Sequence, residues 1–336
     1  MTAEKKQFRL GLVGYGEIGS TIGRGLRGAG LEAISSYDKY AFDGPYAGLI
    51  QSRAREAGVT LVRSNQELAD AADLIFSVTP GSSSLESAEA FAPCLTSRHV
   101  FTDFASATLK IKIGVAERLK NSGALAGDGS IEGSPLQGYS MRMLSSGAAG
   151  RRVCDLLVPW GMQIEFIGEK LGTASGIKIL RSVLMKGIET LTDEMLLAAR
   201  HYGLDEVVLA SASKSLARPW MDTVKSLTPS GVIHAKRRAE ELEMSAEAVA
   251  DAGVEPILAR AVAARLRWKE GLGLKDHFKG VVPPNYKEAL DAMEMKMKRF
   301  EAGRTRHSAE PDSAATKLGR LAGRAFAELK KRSKET

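Results

Sequence analysis

Phe8-Arg9-Leu10-Gly11-Leu12-Val13-Gly14-Tyr15-Gly16-Glu17-Ile18-Gly19 is an apolar run that reaches a Gly-x-Gly-x-x-Gly turn, and apolar residues at helical spacing follow from Ser20 to Gly30. A strand, a tight glycine turn and a helix in that order form the opening βαβ unit of a dinucleotide-binding fold. Gly14 permits the turn off the strand, Gly16 lets the backbone approach a pyrophosphate, and Gly19 lets the helix pack closely on the sheet. The intervening Tyr15, Glu17 and Ile18 belong to the same turn, whose helix N-terminus offers free N–H groups and a positive dipole end to phosphate. A second strand, Leu31 to Asp38, ends in an acid 19 residues after Gly19. An acid at that place can accept hydrogen bonds from ribose hydroxyls.

The rest of the chain sets the context. Its 336 residues suit two domains and a sizeable core, with 44% hydrophobic and 26% charged residues as in a soluble globular protein. No stretch approaches the roughly 20 apolar residues of a membrane span, and the N-terminus carries no secretory pattern, so a cytoplasmic location without membrane contact is expected. Cys94 and Cys154 form neither a disulfide framework nor a zinc set. Residues 301–336 hold nine basic and five acidic side chains, so more than half of the +7 net charge falls in the last tenth of the chain. That placement, and the lack of a nucleic-acid motif, argue against nucleic-acid binding and for a basic, flexible tail.

Strand-like and helical segments alternate up to about residue 170, with Asp73–Pro80 and His99–Phe104 as further buried strands. The alternation predicts a parallel, doubly wound sheet, with ligands beyond the carboxyl ends of its strands. The Gly14–Gly19 turn, Asp38, Thr79-Pro80 and Ser106 then fall along one edge. Residues 129–138, rich in glycine and polar groups, suit a loop over a ligand. From Thr173 to His201 a long helical pattern joins this domain to helices only, near 205–217, 219–227, 231–252, 255–270 and 285–300, punctuated by Pro219, Pro229, Pro256 and Pro283-Pro284. The fold class is therefore an α/β Rossmann-type domain over 1–170, an all-α substrate and dimerisation domain over 171–300 entered by the long helix, and the tail over 301–336.

The five histidines show no ligand spacing, so no metal is expected, and no G-x-S-x-G elbow supports a hydrolase. The chemically suggestive segment is Gly168 to Ser182. Lys178 and Ser182 lie one turn apart on one helix face. A lysine held near a nicotinamide can polarise a carbonyl or accept a hydroxyl proton, provided burial lowers its pKa from about 10.4. Arg181, Lys186 and the Lys236-Arg237-Arg238 run are candidates to hold an anion, although a charge run is usually a solvated face.

Four of these motifs, in order, resemble those of the β-hydroxyacid dehydrogenases, the family of 3-hydroxyisobutyrate dehydrogenase, with 6-phosphogluconate dehydrogenase more distant. They are the Gly14–Gly19 turn, Asp103-Phe104-Ala105-Ser106, Asp128-Gly129-Ser130-Ile131-Glu132-Gly133-Ser134 and Gly172 to Ser182. The likeness covers residues 8–200 well and the helical remainder more loosely. It implies that Lys178 is the catalytic acid/base with Ser182 beside it, that Ser106 sits by the nicotinamide, that Ser130, Glu132, Gly133 and Ser134 form the substrate loop, and that the protein is a homodimer acting on a small molecule. Two positions depart from the pattern: Ser182 stands where the family has asparagine, and Glu132 where it has a serine that holds a substrate carboxylate. A carboxylate at 132 would repel an acid and attract an amine or hydroxyl, unless it is taken up in an ion pair. Asp38 favours NAD because it repels a 2′-phosphate, while Lys39 leaves NADP open.

Three functions fit this reading. The first is an NAD(P)-dependent dehydrogenase of a small 3-hydroxy acid, hydroxy amino acid or related alcohol. The second is an imine reductase, against which Lys178 speaks. The third is a nucleotide-binding regulator without catalysis.

Overall fold

The computed structural model describes residues 5–306, the side chains of 300–306 excepted. The tail expected over 301–336 lies outside the described residues apart from the end of the last helix. The chain divides into two compact units, Met1–Gly187 and Ile188–Thr336. The divide falls inside the long helix rather than ahead of it.

The first unit runs β1 (Leu10–Val13), α1 (Glu17–Gly28), β2 (Ile34–Tyr37), α2 (Ala47–Ala57), β3 (Thr60–Val62), α3 (Asn65–Ala71), β4 (Leu74–Ser77), α4 (Ser84–Phe91), β5 (Val100–Asp103), α5 (Leu109–Leu119), β6 (Leu125–Ile131), β7 (Met143–Ser146), α6 (Ala148–Leu157) and β8 (Ile164–Phe166), then enters α7 (Thr173–His201). One eight-stranded sheet has the order β3-β2-β1-β4-β5-β6-β7-β8. The chain reverses direction across β1, so the carboxyl ends of β1 and β4 flank a topological switch point, where such sheets bind ligands.

Burial follows the side-chain period of two. Leu10, Leu12, Leu74 and Phe76 face one apolar layer with Ile22 and Leu26 of α1, while Val13, Ile75 and Phe101 face the other with Leu68, Phe91 and Val115. Helices thus cover both faces of the sheet. The Ser64 hydroxyl caps α3 by accepting the Glu67 N–H at 3.1 Å, and the Glu67 carboxylate accepts the Arg63 N–H at 2.9 Å.

Two sequence expectations are corrected here. The sheet is not wholly parallel, because β6 and β7 pair antiparallel. Their connection holds only a short 3₁₀ turn, Pro135–Ser140, too little chain for a parallel crossover. Gly129, Ser130 and Ile131, expected in a loop, are the end of β6. Gly129 is required there by packing: a Cβ would lie 2.4 Å from the ring of Phe104, which stacks on Phe76 with centroids 4.0 Å apart.

The second unit is helical: the end of α7, α8 (Asp205–Leu216), α9 (Trp220–Ile233), α10 (Ala235–Asp251), α11 (Ile257–Gly271), α12 (Leu274–His277) and α13 (Tyr286–Arg306). Pro229 does not end a helix as its position in the sequence suggests. α9 runs through it, because Val232 and Ile233 beyond it pack with Leu272, Leu274, Ala289 and Ala292, and this burial outweighs the cost of an interior proline. No described helix is long and apolar enough to cross a membrane.

The strand ends after β4 and β5 meet at Gly81, where a Cβ would lie 1.9 Å from the carbonyl oxygen of Ser106. Gly81→Ala should therefore lower stability by about 1–3 kcal/mol through forced backbone movement, read as a lower urea midpoint. An unchanged midpoint would show that the two strand ends are not in contact.

Candidate active site

A cleft of about 680 Å³ opens at the switch point, lined among others by Gly14, Gly16, Glu17, Ile18, Asp38, Thr79 and Pro80. Gly14 makes the turn with φ +92°, a conformation that L side chains rarely adopt. At Gly19 a Cβ would lie 2.1 Å from the carbonyl oxygen of Gly14, so α1 starts as close to the strand as a backbone can come. Gly16 is the opposite case: a Cβ there would meet nothing within 4 Å, because it faces the open cleft. The carboxylate of Asp38 is held at the rim by two backbone donors, Tyr15 N–H to Oδ2 at 2.8 Å and Tyr40 N–H to Oδ1 at 2.9 Å.

The Tyr15 side chain takes no part in the cleft. It is fully buried in the α1 layer, where burial pushes its phenol up to about 12. Its contribution to the turn is its backbone N–H. Asn65, Thr79 and Ser87 line the cleft, and their Oδ1, Oγ1 and Oγ atoms are buried without a protein partner among the described residues. An exposed helix start, an acid at the strand end and three orphaned polar atoms fit a dinucleotide.

Beside this cleft stands Lys178, on the second turn of α7. Its Nζ donates to the Ser106 hydroxyl at 2.9 Å, and Ser106 touches Gly81 next to Thr79-Pro80. Burial, above all, holds the Lys178 ammonium below the ordinary lysine range. Lys112, Arg181 and Lys186 push the same way, and Glu132 opposes them.

The position of Lys178 is set by a buried charge network that the sequence did not announce. Lys112 of α5 is 1% exposed. Its ammonium donates to the Asp103 carbonyl at 2.5 Å and to Asp103 Oδ2 at 2.9 Å, and lies 3.6 Å from Asp128 Oδ1. Asp128, at 0% exposure, accepts the Ser175 hydroxyl on Oδ1 at 2.5 Å, and the Ser175 N–H and Ser146 hydroxyl on Oδ2 at 3.0 Å each. The Ser146 hydroxyl in turn accepts the Ala174 N–H at 3.1 Å. Asp128 and Ser146 therefore satisfy the free donors at the start of α7, where a negative charge also meets the positive end of the helix dipole. Lys178 follows Ser175 by three residues, so this anchor fixes which way Lys178 points.

Glu132 lies just beyond β6. Its side chain is 2% exposed and pairs with Arg181 Nη1 at 2.6 Å, and it accepts the Ser130 hydroxyl at 3.3 Å. The ion pair weighed from the sequence is thus present, with a buried rather than a surface carboxylate. The Ser182 hydroxyl donates to the Lys178 carbonyl at 2.9 Å, within its own helix. Ser134 caps the 3₁₀ turn by accepting the Leu136 N–H at 3.3 Å, and Gly133 packs against Gln137. Among the described residues no group of three His, Cys, Asp or Glu could hold a metal ion. His99 is buried and engaged, with Nδ1 at 2.8 Å from the Thr96 N–H and Nε2 at 2.9 Å from the Ala69 carbonyl.

Lys112→Met tests the anchor. It leaves two buried carboxylates without their cation, which should cost about 3–5 kcal/mol. Urea denaturation measures this, and a midpoint within error of the parent would show that Lys112 is not the counter-charge.

Comparison with known proteins adds three observations. Residues 199–268 match DUF1932, a domain of unknown function. A conserved protein of unknown function, whose structure is described as similar to 3-hydroxyacid dehydrogenases, shares 26% identity over 78% of this chain and 98% of its own, with a TM-score of 0.54. At lower identity, the imine reductase from Pseudomonas sp. (16%, 86% of this chain and 100% of its own, TM-score 0.66) and the reductive aminase from Aspergillus terreus in complex with NADPH, cyclohexanone and allyl amine (16%, 81% and 100%, TM-score 0.65) share the two-domain architecture. The four motifs, the sheet with its helical second half and these likenesses agree on the fold: a Rossmann-type sheet followed by helices, similar to that of a 3-hydroxyacid dehydrogenase-like protein and of imine reductases.

Proposed function

We propose that the protein is an NAD(P)-dependent oxidoreductase that interconverts a small 3-hydroxy acid, hydroxy amino acid or related alcohol with its carbonyl form, using Lys178 as acid/base. One observation carries the reading: a half-buried lysine with a lowered pKa, hydrogen-bonded to Ser106 beside a cleft fit for a dinucleotide. The Gly14–Gly19 turn would hold the pyrophosphate and Asp38 the adenosine ribose. Asp38 favours NAD over NADP; the Aspergillus terreus reductive aminase was solved with NADPH, and Lys39 and Arg53 at the same cleft leave room for either. When bound, the nicotinamide supplies or accepts the hydride.

The chain's own residues manage the proton. In oxidation the neutral amine of Lys178 takes the hydroxyl proton as hydride leaves the carbinol carbon. In reduction the ammonium returns it to the developing alkoxide. Ser106, now the acceptor of the Lys178 hydrogen bond, keeps Nζ directed at the strand ends until substrate arrives. Because Arg181 neutralises Glu132, the carboxylate at 132 repels an acidic substrate less than its sequence position suggests. Leu180 and Val183, 71% and 75% exposed on α7, suit the interface of a homodimer.

The imine reductase reading shares the fold, and a lysine acid could also protonate a nitrogen. A panel of hydroxy acids, hydroxy amino acids, ketones with amines and cyclic imines, followed by absorbance of NADH and NADPH at equal low concentration, separates the readings. Turnover of cyclic imines without turnover of hydroxy compounds would overturn the dehydrogenase assignment.

Lys178→Met should reduce turnover by about 10²–10⁴-fold while cofactor binding, read by fluorescence of the reduced cofactor, stays within twofold. Retained turnover would remove Lys178 from the chemistry. The lowered pKa also fixes the pH dependence: oxidation rises, and reduction falls, through a value below the lysine range near 10.5. Arg181→Gln removes a cation that depresses Lys178 and frees the opposing charge of Glu132, so this limb should move to higher pH. A limb that stays in place or moves down would show that Lys178 is not the titrating group.

A further inference from the structure

The second unit half-buries positive charge that no acid among the described residues balances. Lys269, in the last turn of α11, is half-buried, and among the described residues its ammonium has neither a hydrogen-bond acceptor nor a carboxylate partner. Arg238, on the first turns of α10, faces the same spot. Both point at Gly231 of α9: a Cβ on Gly231 would lie 3.3 Å from Arg238 Nη1 and 3.3 Å from Lys269 Nζ, and would touch no other atom within 4 Å. The two cations therefore border one space, kept open by the missing side chain of Gly231.

The nearby acids are committed elsewhere. Glu240, Glu243 and Glu270 surround Arg267, and Glu241 pairs with Arg237. Arg238 is fixed in place by donating to the Ser230 hydroxyl at 2.9 Å and the Leu227 carbonyl at 3.4 Å, neutral acceptors that leave its charge uncompensated. Arg265 adds a third cation, its guanidinium 3.7 Å over the Trp268 ring. Burial, then Arg265 and Arg238, hold the Lys269 ammonium below its ordinary range, and no opposing charge raises it. Burying an unpaired ammonium against two guanidiniums costs free energy unless an anion completes the set.

We propose that Arg238 and Lys269, both directed at Gly231, form a binding site for a phosphoryl dianion, either free phosphate or the phosphate group of a phosphomonoester. Two cations at one gap match a dianion better than a single carboxylate, and a guanidinium beside an ammonium offers the directed donors that phosphate oxygens accept. The site lies wholly in the second unit and stands whether or not the oxidoreductase reading holds.

The test uses the full chain and trace acetylation of its lysines, mapped by mass spectrometry. Inorganic phosphate or glycerol phosphate at millimolar concentration should slow labelling of Lys269 at least fivefold, while sodium chloride at matched ionic strength leaves it unchanged. Stronger protection by glycerol phosphate identifies an organic phosphomonoester as the natural source; equal protection identifies free phosphate. Arg238→Gln should abolish most of the protection. Because Arg238 also braces α9, Lys269→Met provides the second arm. It should raise the thermal midpoint in phosphate-free buffer, by removing the unpaired charge, and lose the phosphate-dependent rise of the parent. Labelling unmoved by phosphate, or slowed equally by chloride, overturns the proposal. Protection without phosphate that grows with protein concentration overturns it too, in favour of a carboxylate from a second copy.

Discussion

The carboxylate of Asp128 is the constraint on which the site depends. It is fully buried, and it shares one lysine with a second buried carboxylate, Asp103. One ammonium cannot balance two carboxylates, so the remaining charge must be met by dipoles. The start of α7 meets it: the Ser175 N–H and hydroxyl bond Asp128 directly, and the Ala174 N–H reaches it through Ser146. These contacts satisfy helix donors that have no partner within the helix. β5, β6, β7, α5 and α7 are thereby tied at one point, and a helix start tied to a sheet has little freedom to rotate. The direction of Lys178 follows from that restraint.

The same cation that balances the anchor also acts on the site. Lys112 is among the charges that depress Lys178, so a residue that packs like a core side chain also shifts the protonation of its neighbour. Arg181 acts similarly from the adjacent turn, and its pairing with Glu132 sets how far that carboxylate can pull the other way. The departures from the family pattern at Glu132 and Ser182 therefore read differently in three dimensions. Glu132 is one half of an internal pair, and the Ser182 hydroxyl is spent on the backbone of its own helix. Lys178 stays bonded to Ser106 beside the cleft, and the orphaned atoms of Asn65, Thr79 and Ser87 line the cleft itself.

Much of the fold could be read from the chain because its signals are local. The glycine turn, the strand–helix rhythm to residue 170 and the acid at Asp38 each depend on spacing within some thirty residues. The half-burial of Lys178 agrees with its apolar neighbours after a glycine-rich lead, but it was the family resemblance, not this spacing, that singled the residue out. The anchor was not legible, since Lys112 lies in Leu109-Lys110-Ile111-Lys112-Ile113 and looks like any basic position on an amphipathic helix. Only the sheet order, which sets β5 beside β6, brings Asp103 and Asp128 to it. The antiparallel turn of β7 was hidden because a short connection is informative only once both strands are known. Tyr15 lies inside the fingerprint, yet beyond the strand end its side chain turns into the core layer of Leu10, Leu12 and α1.

Charge is unevenly placed in both units. The sequence assigns more than half of the net positive charge to the last 36 residues, which invites the view that the body is electrostatically ordinary. Its balance is in fact uneven at short range. In the first unit Lys112 is over-neutralised by two aspartates, and the surplus negative charge orders a helix start. In the second unit Arg267 and Arg237 gather the local glutamates, and among the described residues Arg238, Arg265 and Lys269 have no ion pair. A buried imbalance of either sign persists only where something compensates it, because an unpaired charge out of water is costly. In the first unit the compensating groups are helix donors and hydroxyls from the chain itself. In the second, the neighbouring groups among the described residues are neutral or already paired, and the proposed phosphoryl anion would supply the compensation.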